Sequence, residues 1–272
     1  MDFLSVGGII LAFASVLLCM VIDGGSLMSL VQESAALIVF GGTAGAVLLQ
    51  TPFSTFMRSV KMTLWVFMPP KDDREEQMKQ ITEWLRVARH QFVLALDPIA
   101  DQQSDPFIKQ GLRMIVDGIE APQIRTMMEA IISTRAHEEM QGAEVFEAAG
   151  GYAPTVGILG AVMGLITVMS HLDDPSKLGS GIATAFVATV YGVAAANLVC
   201  LPIASKLKAV VRRRVRRLEL IAEGMVGIAI LESPLQLEMK LRGFLEADEM
   251  DKAATAPRGA AEGGEAAPAQ AA

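Results

Sequence analysis

Two long apolar runs in the second half of the chain carry oxygen and nitrogen but no charge. Thr155 and Thr167 lie in the first, about Tyr152–His171; Thr184, Thr189, Tyr191 and Asn197 lie in the second, about Leu178–Ser205. Hydroxyls and amides can offer oxygen to a partly dehydrated cation or accept a hydrogen bond. None of these groups titrates near neutral pH. A proton pathway or carrier site at membrane depth needs an ionisable group. If ions pass along these runs, another chain must bring the titrating carboxylate. Each threonine also has a plainer reading, a hydroxyl bonded back to its own helix. Ser180 and Thr184 share a face at i and i+4, and Thr189 stands beside the Tyr191-Gly192 pair.

Small residues line the same runs. Gly157, Gly160 and Gly164 fall at i, i+3 and i+7, and Gly181, Ala185, Ala188, Gly192 and Ala195 make a second stripe. Helices in hydrocarbon associate by close backbone approach at such residues. The stripes fit packing within one subunit and contact with another subunit, or the lining of a passage, equally well. Pro154 and Pro202 sit near the ends of their runs. A proline inside a helix removes a backbone bond and bends the axis.

The elements that hold these residues follow from composition. The chain has 272 residues, 52% hydrophobic, with a mean hydropathy of +0.41, more apolar than a soluble domain of that length. Two further runs, Phe3–Ile22 and Ser34–Gln50, complete a set of four, each near the length that crosses a hydrocarbon core. Phe3–Ile22 lacks the basic start of a signal peptide and reads as a retained span. Short links, Asp23–Glu33 and Leu172–Lys177, join the runs in pairs. Of 23 Lys and Arg, 11 lie between the pairs and 11 after the fourth run, with only Lys177 in a short link. That bias places the central segment and both termini in the cytoplasm, and the links with Asp23, Glu33, Asp173 and Asp174 outside.

The expected fold class is therefore an all-α integral membrane protein: four transmembrane helices with a large helical cytoplasmic loop between helices 2 and 3. Residues 1–50 form the first hairpin, 51–149 the cytoplasmic helical domain and 150–205 the second hairpin. Residues 206–250 form a cytoplasmic helical extension, and 251–272 a disordered tail of Ala, Gly, Pro and Glu. Within the loop, the spacing predicts one helix from Asp73 that Asp97-Pro98 stops, and a second ended by Gly118. A third opens at Pro122 and runs into the third span; a short helix is expected near Leu235–Phe244.

Other function classes lack their residues. Gly41-Gly42 and Gly150-Gly151 have no following Lys-Ser/Thr of a nucleotide loop. Cys19 and Cys200 lie in apolar runs, and His90, His137 and His171 lack metal spacing. Arg212, Arg213, Arg214, Arg216 and Arg217 read as the positive flank of a membrane helix, and no nucleic acid is expected.

"GGYAPTVGILGAVMGLI" and "DDPSKLGSGIATAFVATVYGVAAANLVCLPIASKL" resemble the third and fourth spans of flagellar motor stator A subunits, in the MotA/TolQ/ExbB superfamily. "MDFLSVGGIILAF", "LIVFGGTAGAVLL", "VARHQFVLALD" and "IVDGIEAPQIR" extend the likeness over about residues 1–245. The resemblance implies an inner-membrane homopentamer around a single-span B subunit that carries the membrane aspartate and a peptidoglycan-binding domain. Ion flux would turn the A ring against the rotor switch protein, with no enzymatic step and no cofactor. It also implies that Pro154 and Pro202 couple ion passage to conformational change and that Thr189 faces the pore. Ala161 stands where sodium-driven members carry threonine, and Gln32 where they carry an acid, so the implied coupling ion is H+. Arg89 and Asp97 match rotor-contacting charges, although His90, Gln91 and Phe92 depart from the usual pattern. The alternative within the superfamily is a TolQ/ExbB-type energiser of outer-membrane processes.

Overall fold

A computed structural model describes residues 3–255 apart from 23, 72 and 174. Among the described residues all regular structure is helical. Helix α1 is Phe3–Ile22 and α2 is Glu33–Gln50, with a π-helical stretch at Leu37–Gly41. Helix α3 is Phe53–Met62, α4 Arg74–Gln91, α5 Asp97–Gln102 and α6 Pro106–Val116. Helix α7, Ala121–Met169, is 49 residues long. Helix α8 comprises Pro175–Ala194, the π-helical Ala195–Cys200 and Leu201–Ala229 without a break, and α9 is Pro234–Thr255. Stretches in α2, α7 and α8 are long and apolar enough to cross a membrane; α1 adds the shorter apolar Val6–Ile22.

The chain divides into two compact units. The first comprises Met1–Lys71 and Ile131–Val215. Its packing starts with glycine. A Cβ on Gly157 would lie 2.9 Å from the Ala188 carbonyl oxygen, and one on Gly164 would lie 2.7 Å from the Ala185 nitrogen. A Cβ on Gly192 would lie 2.5 Å from the Ala153 carbonyl oxygen. Partner numbers fall as α7 numbers rise, so the two helices run antiparallel in backbone contact. The small-residue stripes are thus spent within one chain. Ala35 and Val39 of α2 pack on Val187 and Ala188 of α8. A second core joins Met62 of α3 and Val66 to Ala143 of α7 and Ile203, Leu207 and Val211 of α8. Arg214 lies 4.5 Å from the Trp65 ring centroid and pairs with Glu139 at 3.2 Å.

The second unit comprises Asp72–Ala130 and Arg216–Ala272. Buried Ile81 and Leu85 of α4, Phe107 and Leu112 of α6 and Met225 of α8 belong to its core. Gly111 admits the Met225 side chain, where a Cβ would stand 2.9 Å from its Cγ. Arg217 binds Asp73 at 2.7 Å and Asp105 at 3.1 Å. Partial burial pulls its pKa down, but the two carboxylates together outweigh it and hold the guanidinium above the ordinary arginine value. Arg214 and Arg217, at least, of the five clustered arginines are therefore committed to carboxylates of the chain itself.

Three expectations need correction. Helix α4 ends at Gln91, short of Asp97-Pro98, because Phe92 takes φ 65° and ψ 162°. Val93–Leu96 then form a 3-10 turn, and Asp97-Pro98 opens α5. Proline is well placed there, since the first helical N–H groups have no partner to lose. Helix α9 runs past Phe244 to Thr255, so 251–255 of the expected tail are helical. Residues 256–272, Asp23 and Asp174 lie outside the described residues.

Candidate functional site

Pro154, Gly157 and Ala161 fall at i, i+3 and i+7 and so share one face of α7. A Cβ on Gly157 would lie 3.5 Å from the Thr189 Cα, which puts the Thr189 backbone against the middle of that face. The structure therefore gathers Pro154, Ala161 and Thr189 into one stretch of the α7–α8 hairpin. All three are half-buried. Pro202 is elsewhere: it lies thirteen residues beyond Thr189, about 20 Å along a helix. It lines a separate cavity of 330 Å³ with Asn197, Lys206 and residues of α1. The π-helical Ala195–Cys200 ends two residues before it. A π stretch is a known site of helix bending and here adjoins the backbone bond that proline omits.

The hydroxyls follow the plainer reading. Thr155 donates to the Tyr152 carbonyl at 2.8 Å, Thr167 to Met163 at 3.1 Å, Thr184 to Ser180 at 2.9 Å and Thr189 to Ala185 at 3.3 Å. Asn197 Nδ2 donates to Val193 at 3.0 Å. Each threonine has spent its only donor on its own helix, and only its lone pairs still face a neighbour. Such a hydroxyl can accept from a protonated carboxyl or ligate a cation. It cannot donate to a carboxylate without first breaking its helix bond.

A polar node was only partly visible in the sequence. Gln32 Nε2 donates to Thr184 Oγ1 at 2.8 Å, and Ser34 Oγ lies 3.2 Å from the same oxygen. The Tyr191 hydroxyl donates to the Leu30 carbonyl and accepts from the Gln32 N–H at 3.4 Å. The node ties the start of α2 to α8. Gln32 and Tyr191 each stand out beside an apolar run; their pairing, across 159 residues, does not.

Arg89 and Asp97 lie in the second unit, both exposed. Arg89, in the last turn of α4, donates to the Glu232 carbonyl at 3.1 Å. Asp97 is the first residue of α5. Between them in the chain stand Phe92, 80% exposed, and Leu94, 69% exposed. Phe92 occupies backbone space that is close to glycine-only, at a cost of about 1–3 kcal/mol. Strain and exposure together single out a residue that its type alone does not. Among the described residues no group of three or more His, Cys, Asp and Glu is placed to hold a metal.

Comparison with known proteins agrees with this architecture. The profile described as "MotA/TolQ/ExbB proton channel family" matches residues 99–220, and "Motility protein A N-terminal" matches residues 6–91. Motility protein A of Bacillus subtilis is 36% identical over 266 residues, 97% of this chain and 98% of the relative. The solved structure of C. jejuni MotAB superposes with a TM-score of 0.83 at 31% identity, over 90% of this chain and 96% of that one. The flagellar MotAB stator complex from Bacillus subtilis superposes with a TM-score of 0.80 at 35% identity, over 92% and 98%. A motility-type N-terminal match and near-complete coverage separate the chain from a shared-core likeness to the TolQ/ExbB branch. The chain belongs to the MotA/TolQ/ExbB proton channel family, as a stator subunit of the motility protein A type.

Proposed function

We propose that this chain is the wall and moving ring of a proton-driven flagellar stator, and that a single-span partner carries the carboxylate that titrates. The observation that carries the reading is the uncharged interior of the apolar stretches in a chain that matches stator A subunits end to end. The chain has four spans, with both termini and residues 51–149 in the cytoplasm of a bacterial inner membrane. Five copies surround the partner. The exposed apolar faces of α7 (Ile158, Val162, Ile166) and α8 (Phe186, Val190) support such an assembly, because about half or more of each side chain is left uncovered in a single copy.

The chemistry assigned to this chain is positional. The partner's carboxyl takes a proton from outside beside Thr189, whose lone pairs accept a hydrogen bond from the protonated form. Neutralised, that carboxyl tolerates the methyl wall near Ala161, which offers no oxygen to a sodium ion. The ring advances one step, bending at Pro154 and at the π stretch before Pro202, and the proton leaves to the cytoplasm. Arg89 and Asp97 meet complementary charges on the rotor switch protein; such charges steer encounter more than they hold a complex.

The test uses a strain whose only stator is this chain and its partner. Swimming is expected to persist in sodium-free medium and to stop with a protonophore. Thr189→Val keeps the side-chain shape but removes the oxygen, and should lower proton flux by about two- to ten-fold, the weight of one neutral hydrogen bond. Proton flux through this chain alone, at the rate of the full complex, would sink the division of labour.

A further inference from the structure

The first unit contains a second cavity, larger than the one at Pro202. It measures 540 Å³ and takes its walls from one chain: Phe13 of α1, Phe40 and Thr43 of α2, Phe56 of α3, Ala149 of α7 and Cys200 of α8. No neighbouring copy is needed to form it. Phe13, Phe40 and Val60 of its lining are also exposed, so the cavity opens on the outer surface of the unit. The volume falls within the range of roughly 300–1,000 Å³ in which proteins hold small ligands.

Water does not suit this space. A buried water needs two to four polar partners. The Tyr191 hydroxyl at the wall already donates to Leu30. Thr43 is 9% exposed, and its Oγ1 is buried without a hydrogen-bond partner. It is unlike Thr155, Thr167, Thr184 and Thr189, whose hydroxyls all bond back to their own helix. An unfilled apolar space also forfeits the dispersion contacts of every group that lines it. In a chain of a membrane family the apolar medium at hand is lipid. Lys61, exposed and next in the chain after the wall residues Ser59 and Val60, supplies positive charge beside the apolar wall, whereas Arg58 is paired with Glu138 at 3.0 Å.

We propose that this cavity holds one acyl chain of an anionic membrane phospholipid, seated among all four apolar segments of a single copy. The acyl chain fills the space between α1 and the α7–α8 hairpin, and the lipid phosphate lies toward Lys61 of α3. A lipid so placed is a structural ligand, distinct from the hydrocarbon that bathes the exposed faces.

The complex of this chain with its partner subunit, purified in detergent, provides the test. The probe is a phosphatidylglycerol with a diazirine midway along one acyl chain, titrated, irradiated and mapped by peptide mass spectrometry. Labelling of peptides that contain Phe13, Ala44, Phe56 and Ala195 should saturate near one lipid per copy. Excess unlabelled phosphatidylglycerol should compete it away, and phosphatidylcholine should compete less well. Ala44→Phe and Ala195→Phe, which put an extra ring into the space, should each cut saturable labelling about ten-fold or more with elution volume unchanged. Leu11→Phe on the exposed face of α1 should leave it unaltered. Competition on the unsubstituted complex decides the matter even if a filled variant fails to assemble. Labelling that rises without saturating, or that unlabelled lipid does not displace, overturns the proposal. So does Val60→Cys if it cross-links two copies and blocks the label, since a neighbour would then occupy the mouth.

Discussion

Gly192→Ala adds one methyl at the tightest point of the α7–α8 contact. Its Cβ would meet the Ala153 carbonyl oxygen at 2.5 Å and the Gly157 Cα at 3.1 Å. Both are backbone atoms, so no rotamer change relieves the clash. Restoring ordinary contact at 3.4 Å requires the helices to part by roughly 0.9 Å. Overpacking of this kind costs about 1–3 kcal/mol. Against it stands the gain of about 1 kcal/mol from replacing glycine by alanine inside a helix. The net for Gly192→Ala is a loss of up to about 2 kcal/mol. Gly45→Ala on α2 is the control: its Cβ would have nothing within 4 Å, so it keeps the helix gain without the clash. The two variants should differ by about 1–3 kcal/mol, read as midpoints of thermal disassembly of the complex in one detergent. Gly157→Ala meets the Ala188 carbonyl at 2.9 Å and should resemble Gly192→Ala. The double variant should cost less than the sum, because one separation relieves both clashes. Equal midpoints for Gly192→Ala and Gly45→Ala would refute backbone contact as the organiser of this hairpin.

Arg217→Met should destabilise by about 1–2 kcal/mol, since it strands two partly exposed carboxylates, and adding Asp73→Asn and Asp105→Asn should restore most of the loss; denaturant midpoints followed at Trp84 report it. Phe92→Gly should raise stability by about 1 kcal/mol by removing backbone strain, and a lower melting temperature would contradict the strained assignment. Arg113 first, and Lys109 after it, hold the Asp101 carboxyl below the ordinary aspartate value. The sign follows from that direction: the pairing contributes fully above the unfolded-state value and is lost as pH falls through the lower folded-state one. Amide protection in α6, with the intrinsic exchange rate divided out, should therefore hold through neutral and mildly acidic pH and fall only below the ordinary carboxylate range, and Asp101→Asn should abolish that acid step.

What the sequence disclosed, and what it withheld, divides along the range of the interactions. Residues 121–169 form one continuous helix that carries Pro154 in its interior, and the helical spacing that runs from Pro122 into the third span reveals that continuity. The break at Phe92 left no mark, because neither glycine nor proline stands there to announce a positive φ. The glycine stripes declared that some backbone comes close to α7. Spacing on one helix cannot say whose backbone it is, and only the fold assigns it to α8 of the same chain. Thr184 and Gln32 lie 152 residues apart, so no local pattern could pair them. The hydroxyls carry the argument furthest. Their presence was legible and their orientation was not, yet orientation decides what they can do. With its own donor turned back to the Ala185 carbonyl, Thr189 can meet a partner's carboxyl, as proposed above, only as an acceptor. It then favours the protonated form over the ionised one, which is the bias a wall needs if it is to pass a neutral carboxyl and hold back a charged one.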